Sequence, residues 1–257
     1  MMDPVTLTAI PNVPDIKPGD DLAQLLGDAL DAADLPPRDG DVLCIAHKVF
    51  SKAEGNVVRL ADVTPSPEAE KYAAELNKDP RKVEVILGES KRVVRAFRHE
   101  RQREGVMICE HRLGFTAASA AVDASNVAGE GTLVTLPKDP DASAHALKSA
   151  LETRFGCAMG VVMTDTFGRP WRLGQVNFAI GLADVPTTTP EMGNPDAWGQ
   201  MLFVTEPALA DEIAAASGLV VRKAAKTPLV HIRGLDWTPD PAAKAHKILR
   251  SQQENMF

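Results

Sequence analysis

A chain of 257 residues, 44% apolar and 25% charged, has enough apolar material for a substantial core and excludes wholesale disorder; it predicts one large domain over 1–257, or two intimately joined lobes. The net charge of −7, from 28 Lys and Arg against 35 Asp and Glu with no long basic block, argues against nucleic acid as a partner and leaves room for a local phosphate pocket. The segment MMDPVTLTAIPNV lacks the pattern of a secretory signal, no apolar run approaches a membrane span, and Cys44, Cys109 and Cys157 cannot all pair within one chain, so a cytoplasmic protein with reduced thiols is expected.

VTLTAI reads as a strand that Pro11 and Pro14 break, and Val13 to Ile16 then form an extended lip. Asp20 or Asp21 caps a helix whose apolar residues Leu22, Leu25, Leu26, Ala29 and Leu30 fall at helical spacing. Val42 to Ala46 is a buried strand, followed on a short loop by His47, Lys48, Ser51 and Lys52. Polar groups just past a buried strand stand where open α/β sheets take ligands, and Lys52 there is either a phosphate contact or a solvated lysine. His47 is equally open to a surface role, with no second histidine at metal-ligand spacing.

Pro67 to Leu76 and Arg81 to Phe97 read as helices, with RAFRHERQRE as a solvated helix end. VMICEH is a strand, and the small residues Thr116 to Ala121 then permit close backbone approach before the oxygen donors Asp123, Ser125 and Asn126. TLVTLP is a further strand and Asp141 to Phe155 a helix.

The richest stretch is VVMTDTFGRPWRLGQVNFAIG, Val161 to Gly181: a buried strand that delivers Asp165 and Thr166 at its end, then a loop in which Arg169 and Arg172 flank Pro170 and Trp171. Hard oxygen donors beside arginines suit a divalent metal next to phosphate; an ordinary Asp-Thr turn with solvated arginines is the competing reading. Two aspartates from separate loops, Asp123 and Asp165, are what a shared site for such a cation requires. The threonine- and proline-rich segment VPTTTPEMGNPDAWG reads as a surface excursion or lid. QMLFVT follows as a strand, then a helix from Pro207 to about Gly218, a basic stretch with Arg222, Lys223 and Lys226, the strand LVHIRGL, and a polar helix over Asp240 to Arg250. No GxxxxGK[ST], GxGxxG or nucleophile-elbow pattern occurs.

Four stretches together resemble the coenzyme F420-0 gamma-glutamyl ligases: VPDIKPGDDL, GDVLCIAHKVFSKAEG, VDASNV and TDTFGRPWR, supported by KDPRKVEVILGES, VTEPALADEIAAA and the strand ending in IRGL. The resemblance implies a mixed α/β (α+β) fold forming an interlocked homodimer. It also implies GTP as co-substrate, with L-glutamate and a deazaflavin coenzyme precursor as the other partners. Carried over by position, it implies manganese or magnesium at Asp123, Asp165 and Thr166, with potassium a further candidate cation. Nucleotide contacts are implied at Val13, Pro14, Asp15, Ile16, His47, Lys52 and Asn126, and catalytic roles at Asp123, Asp165 and Lys52. Phosphoryl transfer needs positioning and charge neutralisation more than a protein nucleophile, which accounts for the missing triad. Some positions depart from the family's pattern. His47 stands where a small hydroxyl residue is usual, TAASAAVD lacks the customary asparagine and glycine, Leu173 and Asn177 replace more polar or acidic residues, and 186–200 keeps little beyond Asp196 to Gly199. The same amide-forming chemistry on another carboxylate, or a binding protein without turnover, are the alternatives.

Overall fold

The computed structural model describes residues 4–125, 129–221, 225–251 and 253–254. Its main sheet contains β1 (Thr6–Ala9), β2 (Asp41–Ala46), β8 (Met159–Arg169), β9 (Arg172–Ala183) and β10 (Leu229–Arg233), in the order β1-β10-β2-β8-β9. Only β2 and β8 run parallel; every other pair in this sheet is antiparallel, so the architecture is mixed α/β as expected. Two small sheets lie outside it, β3 (Val57–Arg59) with β7 (Thr132–Val134), and β4 (Ser90–Phe97) with β5 (Val106–His111) and β6 (Thr116–Ala118).

Helices cover the main sheet on both faces. On one, α1 (Leu22–Ala32), α2 (His47–Ala53) and α5 (Pro140–Phe155) bury Leu26, Leu30, Phe50, Leu147 and Leu151 against Leu43, Ile45, Val161 and Met163. On the other, α6 (Leu209–Ser217) sets Ala210, Ile213 and Ala214 against Val42, Cys44, Val162 and Ile232. The alternation of Val161 and Met163 with Val162 is the two-residue period of a strand buried on both sides. Each fully buried aliphatic or phenyl group contributes about 1.5–3 kcal/mol, so these two layers dominate stability. A third cluster gathers α3 (Pro67–Leu76) and α4 (Pro80–Gly88) over Met107, Cys109 and Leu133.

Local signals explain the helix starts. Asp21 accepts from Gln24 N, Ser66 from Ala69 N and Asp139 from Ala142 N; Pro67, Pro80 and Pro140 then occupy a first turn where a missing N–H costs little. Gly181 is required for packing, since a Cβ there would lie 2.7 Å from the Pro140 backbone where α5 meets β9.

Several expected elements differ. Arg81 to Phe97 is not one helix: α4 stops at Gly88 and β4 follows, so the basic cluster after Arg95 ends a strand instead of a helix. The segment expected as the strand QMLFVT has only an isolated bridge from Met201 to Pro195, and the expected tail helix is a short 3₁₀ turn at Ala245–Ile248. His47 to Lys52 lie on α2 and not on a loop. Cys44 and Cys109 are buried free thiols as expected, and burial pushes Cys44 up to about 12. Among the described residues no helix is long and apolar enough to cross a membrane.

Candidate active site

The parallel register of β2 and β8 builds the site's centre. Pairing runs from Asp41↔Met159 to Ala46↔Thr164 and ends there, so the next residue after each strand's last paired position, His47 and Asp165, emerges at the same end of the parallel pair. His47 Nε2 stands 3.5 Å from Asp165 Oδ1. Strand β8 itself continues beyond this point, paired with β9 after a register shift between Met163 and Thr164. Asp165 therefore marks the end of the parallel pairing and not the end of its strand.

His47 is buried, with 2% of its side chain exposed, which overturns a surface role. Its Nδ1 lies 3.1 Å from Ser51 Oγ, while Nε2 is a buried polar atom without a hydrogen-bond partner among the described residues. Burial holds the imidazole below its ordinary range; Asp165 and Asp123 oppose that shift, and Lys48 and His111 reinforce it. Both aspartates thus act on one ring, and side chains separated widely in sequence share one locality.

Asp123 arrives by a different route. Ser119, Ala120 and Ala121 take φ values of 54°, 47° and 55°, three consecutive left-handed residues, before Asp123 bridges to Val134. Such conformations cost about 1–2 kcal/mol per non-glycine residue, and the small side chains keep the clash small. Ser125 N donates to Asp123 Oδ1 at 2.7 Å and Ser125 Oγ to Oδ2 at 2.9 Å, while Lys48 Nζ forms an ion pair with Oδ2. Burial alone would raise this carboxyl; Lys48 and Ser125 outweigh it and hold Asp123 below the usual carboxylate range.

Helix α2 distributes the chemistry by its four-residue repeat: His47 and Ser51 share one face, and Lys48 and Lys52 the next. Lys52 is pushed below the ordinary lysine range by burial, with Asp15 opposing and Lys48 and Lys226 adding to the shift. Lys226 Nζ lies 3.4 Å from Asp15, an exposed pair of small energetic weight. Val13 and Ile16 are core side chains, leaving Pro14 and Asp15 exposed on the lip. Any side-chain contact to a ligand from this lip falls to the latter two.

Thr166 diverges from Asp165. Its Oγ1 donates to Asn177 Oδ1 at 2.8 Å, and Asn177 Nδ2 donates to Ser217 Oγ at 3.1 Å on α6. Neighbouring strand residues point to opposite faces, so the hydroxyl and the Asp165 carboxylate engage different partners, although Thr166 N donates to Asp165 Oδ1 at 2.7 Å. Arg169 and Arg172 pair at the tip of the β8–β9 hairpin, roughly 13 Å along the strand from Asp165, and do not mix with it in one loop. Asn126, Arg222 and Lys223 lie outside the described residues.

Lys48 is the residue that sequence reasoning passed over in favour of Lys52. Reading HKVFSKA as a helix would have found it, because that places Lys48 and Lys52 one turn apart. Among the described residues no three His, Cys, Asp or Glu groups stand close enough to hold a metal together. Asp123 and Asp165 carry hard oxygen donors of the kind a divalent cation prefers, and Lys48 stands against Asp123.

The model of one protein family, F420-0:Gamma-glutamyl ligase, matches residues 11–234. A Methanopyrus kandleri protein described as Coenzyme F420:L-glutamate ligase is 41% identical over 246 residues, covering 94% of this chain and 93% of that protein. Proteins of the same description from Methanothermobacter thermautotrophicus and Archaeoglobus fulgidus are 39% identical over 234 residues and 36% over 254, spanning 91% and 98% of this chain and 90% and 96% of theirs.

Proposed function

The chain belongs to the F420-0:gamma-glutamyl ligase family, and from that premise we propose that it joins L-glutamate to the terminal carboxylate of a deazaflavin coenzyme precursor, F420-0, at the expense of GTP. The observation that carries this reading is the convergence of Asp123, Asp165 and Lys48 around His47 at the end of the β2–β8 pair. An amide cannot form from a free carboxylate and an amine without a leaving group. In the proposed reaction an acceptor carboxylate oxygen attacks the terminal phosphorus of GTP and GDP departs. The glutamate nitrogen then attacks the acyl carbon, the carbon–oxygen bond to phosphate breaks, and the nitrogen loses its proton.

Asp123 and Asp165 are the residues that would hold manganese or magnesium, and such a cation offsets the triphosphate charge. Lys48 neutralises Asp123 and, with Lys52, supplies positive charge on the α2 face nearest the carboxylates. The 13–16 lip would bring Pro14 and Asp15 to the nucleotide. Buried His47 walls off the floor of the site and keeps its Nε2 toward Asp165.

The homodimer belongs to the same proposal. Large apolar side chains stand in solvent at the hairpin and the following loop, with Leu173 98%, Phe203 81% and Val204 87% exposed, and a partner subunit that covered them would remove that surface from water. The test is to incubate purified protein with GTP, manganese, glutamate and F420-0 and to weigh the product. A mass gain of one glutamyl residue with stoichiometric GDP supports the reading. GDP release without glutamylated deazaflavin, or no turnover, rejects it.

A further inference from the structure

A cavity of about 820 Å³ lies beside the carboxylate site, within the size range of small-molecule pockets. One wall is a stack of rings. His111 and Phe115 are 4.8 Å apart at an interplanar angle of 5°, Phe115 and Phe167 are 4.8 Å apart at 28°, and Phe167 and Phe178 are 5.6 Å apart at 22°. The three phenylalanines line the cavity. Buried His111 anchors the far end: its Nδ1 accepts from Leu113 N at 3.0 Å, so its Nε2 carries the proton and donates to Glu89 at 3.2 Å. The ladder is therefore preformed.

Its near end is tied to the reaction centre by strand register. Phe178 on β9 is the antiparallel partner of Asp165 on β8, which puts both side chains on one sheet face with Cβ atoms about 5 Å apart. Phe167, two residues beyond Asp165, is on that face too. The opposite wall comes from the C-terminal segment, whose Leu249 reaches Gly114 so closely that a Cβ there would lie 3.1 Å from it. Lys138 and Lys244 border the space, and neither has a carboxylate partner among the described residues, whereas Arg92 and Arg112 are already paired with Glu110 and Glu89. Asp211 also borders it; its carboxyl accepts from Ala179 N at 2.9 Å, and burial raises its pKa above the ordinary carboxylate range.

We propose that this cavity is the acceptor site: a planar polycyclic heteroaromatic lies along the Phe115–Phe167–Phe178 ladder, and its anionic arm is held by Lys138 and Lys244. This rests on the ligase reading and assigns residues to its acceptor. A flat ring system finds an apolar wall of aromatic side chains, an anion finds ammonium groups without a carboxylate partner among the described residues, and the end next to Asp165 is where an acceptor carboxylate would meet phosphate. Phe178 and the two lysines then determine which acceptor is accepted, and they take no part in binding GTP.

The experiment titrates the full chain with F420-0, following the ligand's own fluorescence without GTP or metal, and repeats this with Phe178→Leu and with the double variant Lys138→Ser/Lys244→Ser. The leucine keeps an apolar side chain at 178 and removes only the ring. Each variant should weaken F420-0 binding about tenfold and raise its KM similarly, with the KM for GTP unchanged; the lysine variant should also lose part of the salt dependence. Wild-type binding matched by both variants overturns the cavity assignment and leaves the ligase reading standing. Failure of the wild-type chain to bind or use F420-0 overturns both, a result distinct from the first. Equal rises in the KM for GTP and for F420-0 reject the assignment as well, because they would report a general disturbance of the sheet edge.

Discussion

Replacing Asp165 by Asn separates the charge of this side chain from its shape. The amide oxygen can still accept from Thr166 N, now 2.7 Å from Oδ1, and the volume is unchanged. What disappears is the negative charge facing His47 Nε2 at 3.5 Å. Because burial already favours the neutral imidazole, little folded-state attraction is lost, and the expected destabilisation is within about 1 kcal/mol, or a fall in Tm of no more than about 4 °C for a chain of this size. Turnover is a different matter. An oriented group stabilising developing charge in a closed site is typically worth about 10²–10³ in rate, roughly 3–4 kcal/mol of barrier. Asp165→Asn should therefore show a near-native Tm, a glutamate-dependent GDP release rate lowered at least about a hundredfold, and weakened manganese binding by electron paramagnetic resonance. Turnover within threefold of the parent at the same manganese dependence would refute a cation-holding role. A Tm loss well beyond about 8 °C would show instead that Asp165 is part of the scaffold.

The remaining expectations separate scaffold from site. Asp41 is buried at the other end of β2, where it accepts from His231 Nε2 and Arg233 Nη2 at 2.7 Å each and from Arg38 N at 2.8 Å. Asp41→Ala should destabilise by about 3–5 kcal/mol in urea titration while leaving the activity of the folded fraction intact. Burial alone would raise the Asp41 carboxyl, but Arg233 and His231 leave it lowered. Its contribution is thus present above the unfolded pKa near about 3.9 and lost as pH falls through the folded value, and the gap between parent and variant should close in acid. Asp211 has the opposite sign: burial raises its folded pKa, so stability is lost as pH rises through the interval above the unfolded value. Asp211→Asn should raise Tm at pH 7 and change little at pH 4, and a lower Tm at pH 7 would contradict the buried-charge account. Lys52→Ala should raise the KM for GTP with a smaller effect on the KM for glutamate; superimposable GTP titrations would remove Lys52 from the nucleotide site.

Where sequence reading succeeded, local chemistry and burial agreed. Of the two candidates Asp20 and Asp21, Asp21 caps the helix expected there, the helix expected over Pro67 to Leu76 forms with those bounds, and β2 and β5 coincide with apolar runs that a core strand requires. It failed where long-range pairing decided the outcome. Val94 and Phe97 fit a helical spacing, and β4 breaks its own two-residue alternation with register shifts between Ser90 and Arg92 and between Val93 and Arg95. Only the partner strand β5, brought in from residues 106–111, shows that the segment is extended. The aspartates were visible as oxygen donors, but their meeting at His47 depends on the Ala46↔Thr164 register and on the left-handed residues Ser119 to Ala121, neither of which residue types alone encode.

The two halves of the site are held in physically different ways. Asp165 and His47 are fixed by strands whose residues are buried on both faces, so displacing either would require breaking the main core. Asp123 sits after the left-handed residues Ser119 to Ala121, and its position is secured by the Val134 bridge, the Ser125 hydrogen bonds and the Lys48 ion pair. Strained backbone persists only where its surroundings over-determine it. Burial of Ala120 and Val122 in the third apolar cluster supplies part of that constraint, and Lys48 supplies the electrostatic part from the neighbouring helix. A cation or a phosphate that competes for Asp123 or for Lys48 therefore acts on the contacts by which Lys48 joins Asp123 and Ser125 to α2. The rigid strand pair sets one carboxylate in place, and strain, burial and charge together set the other.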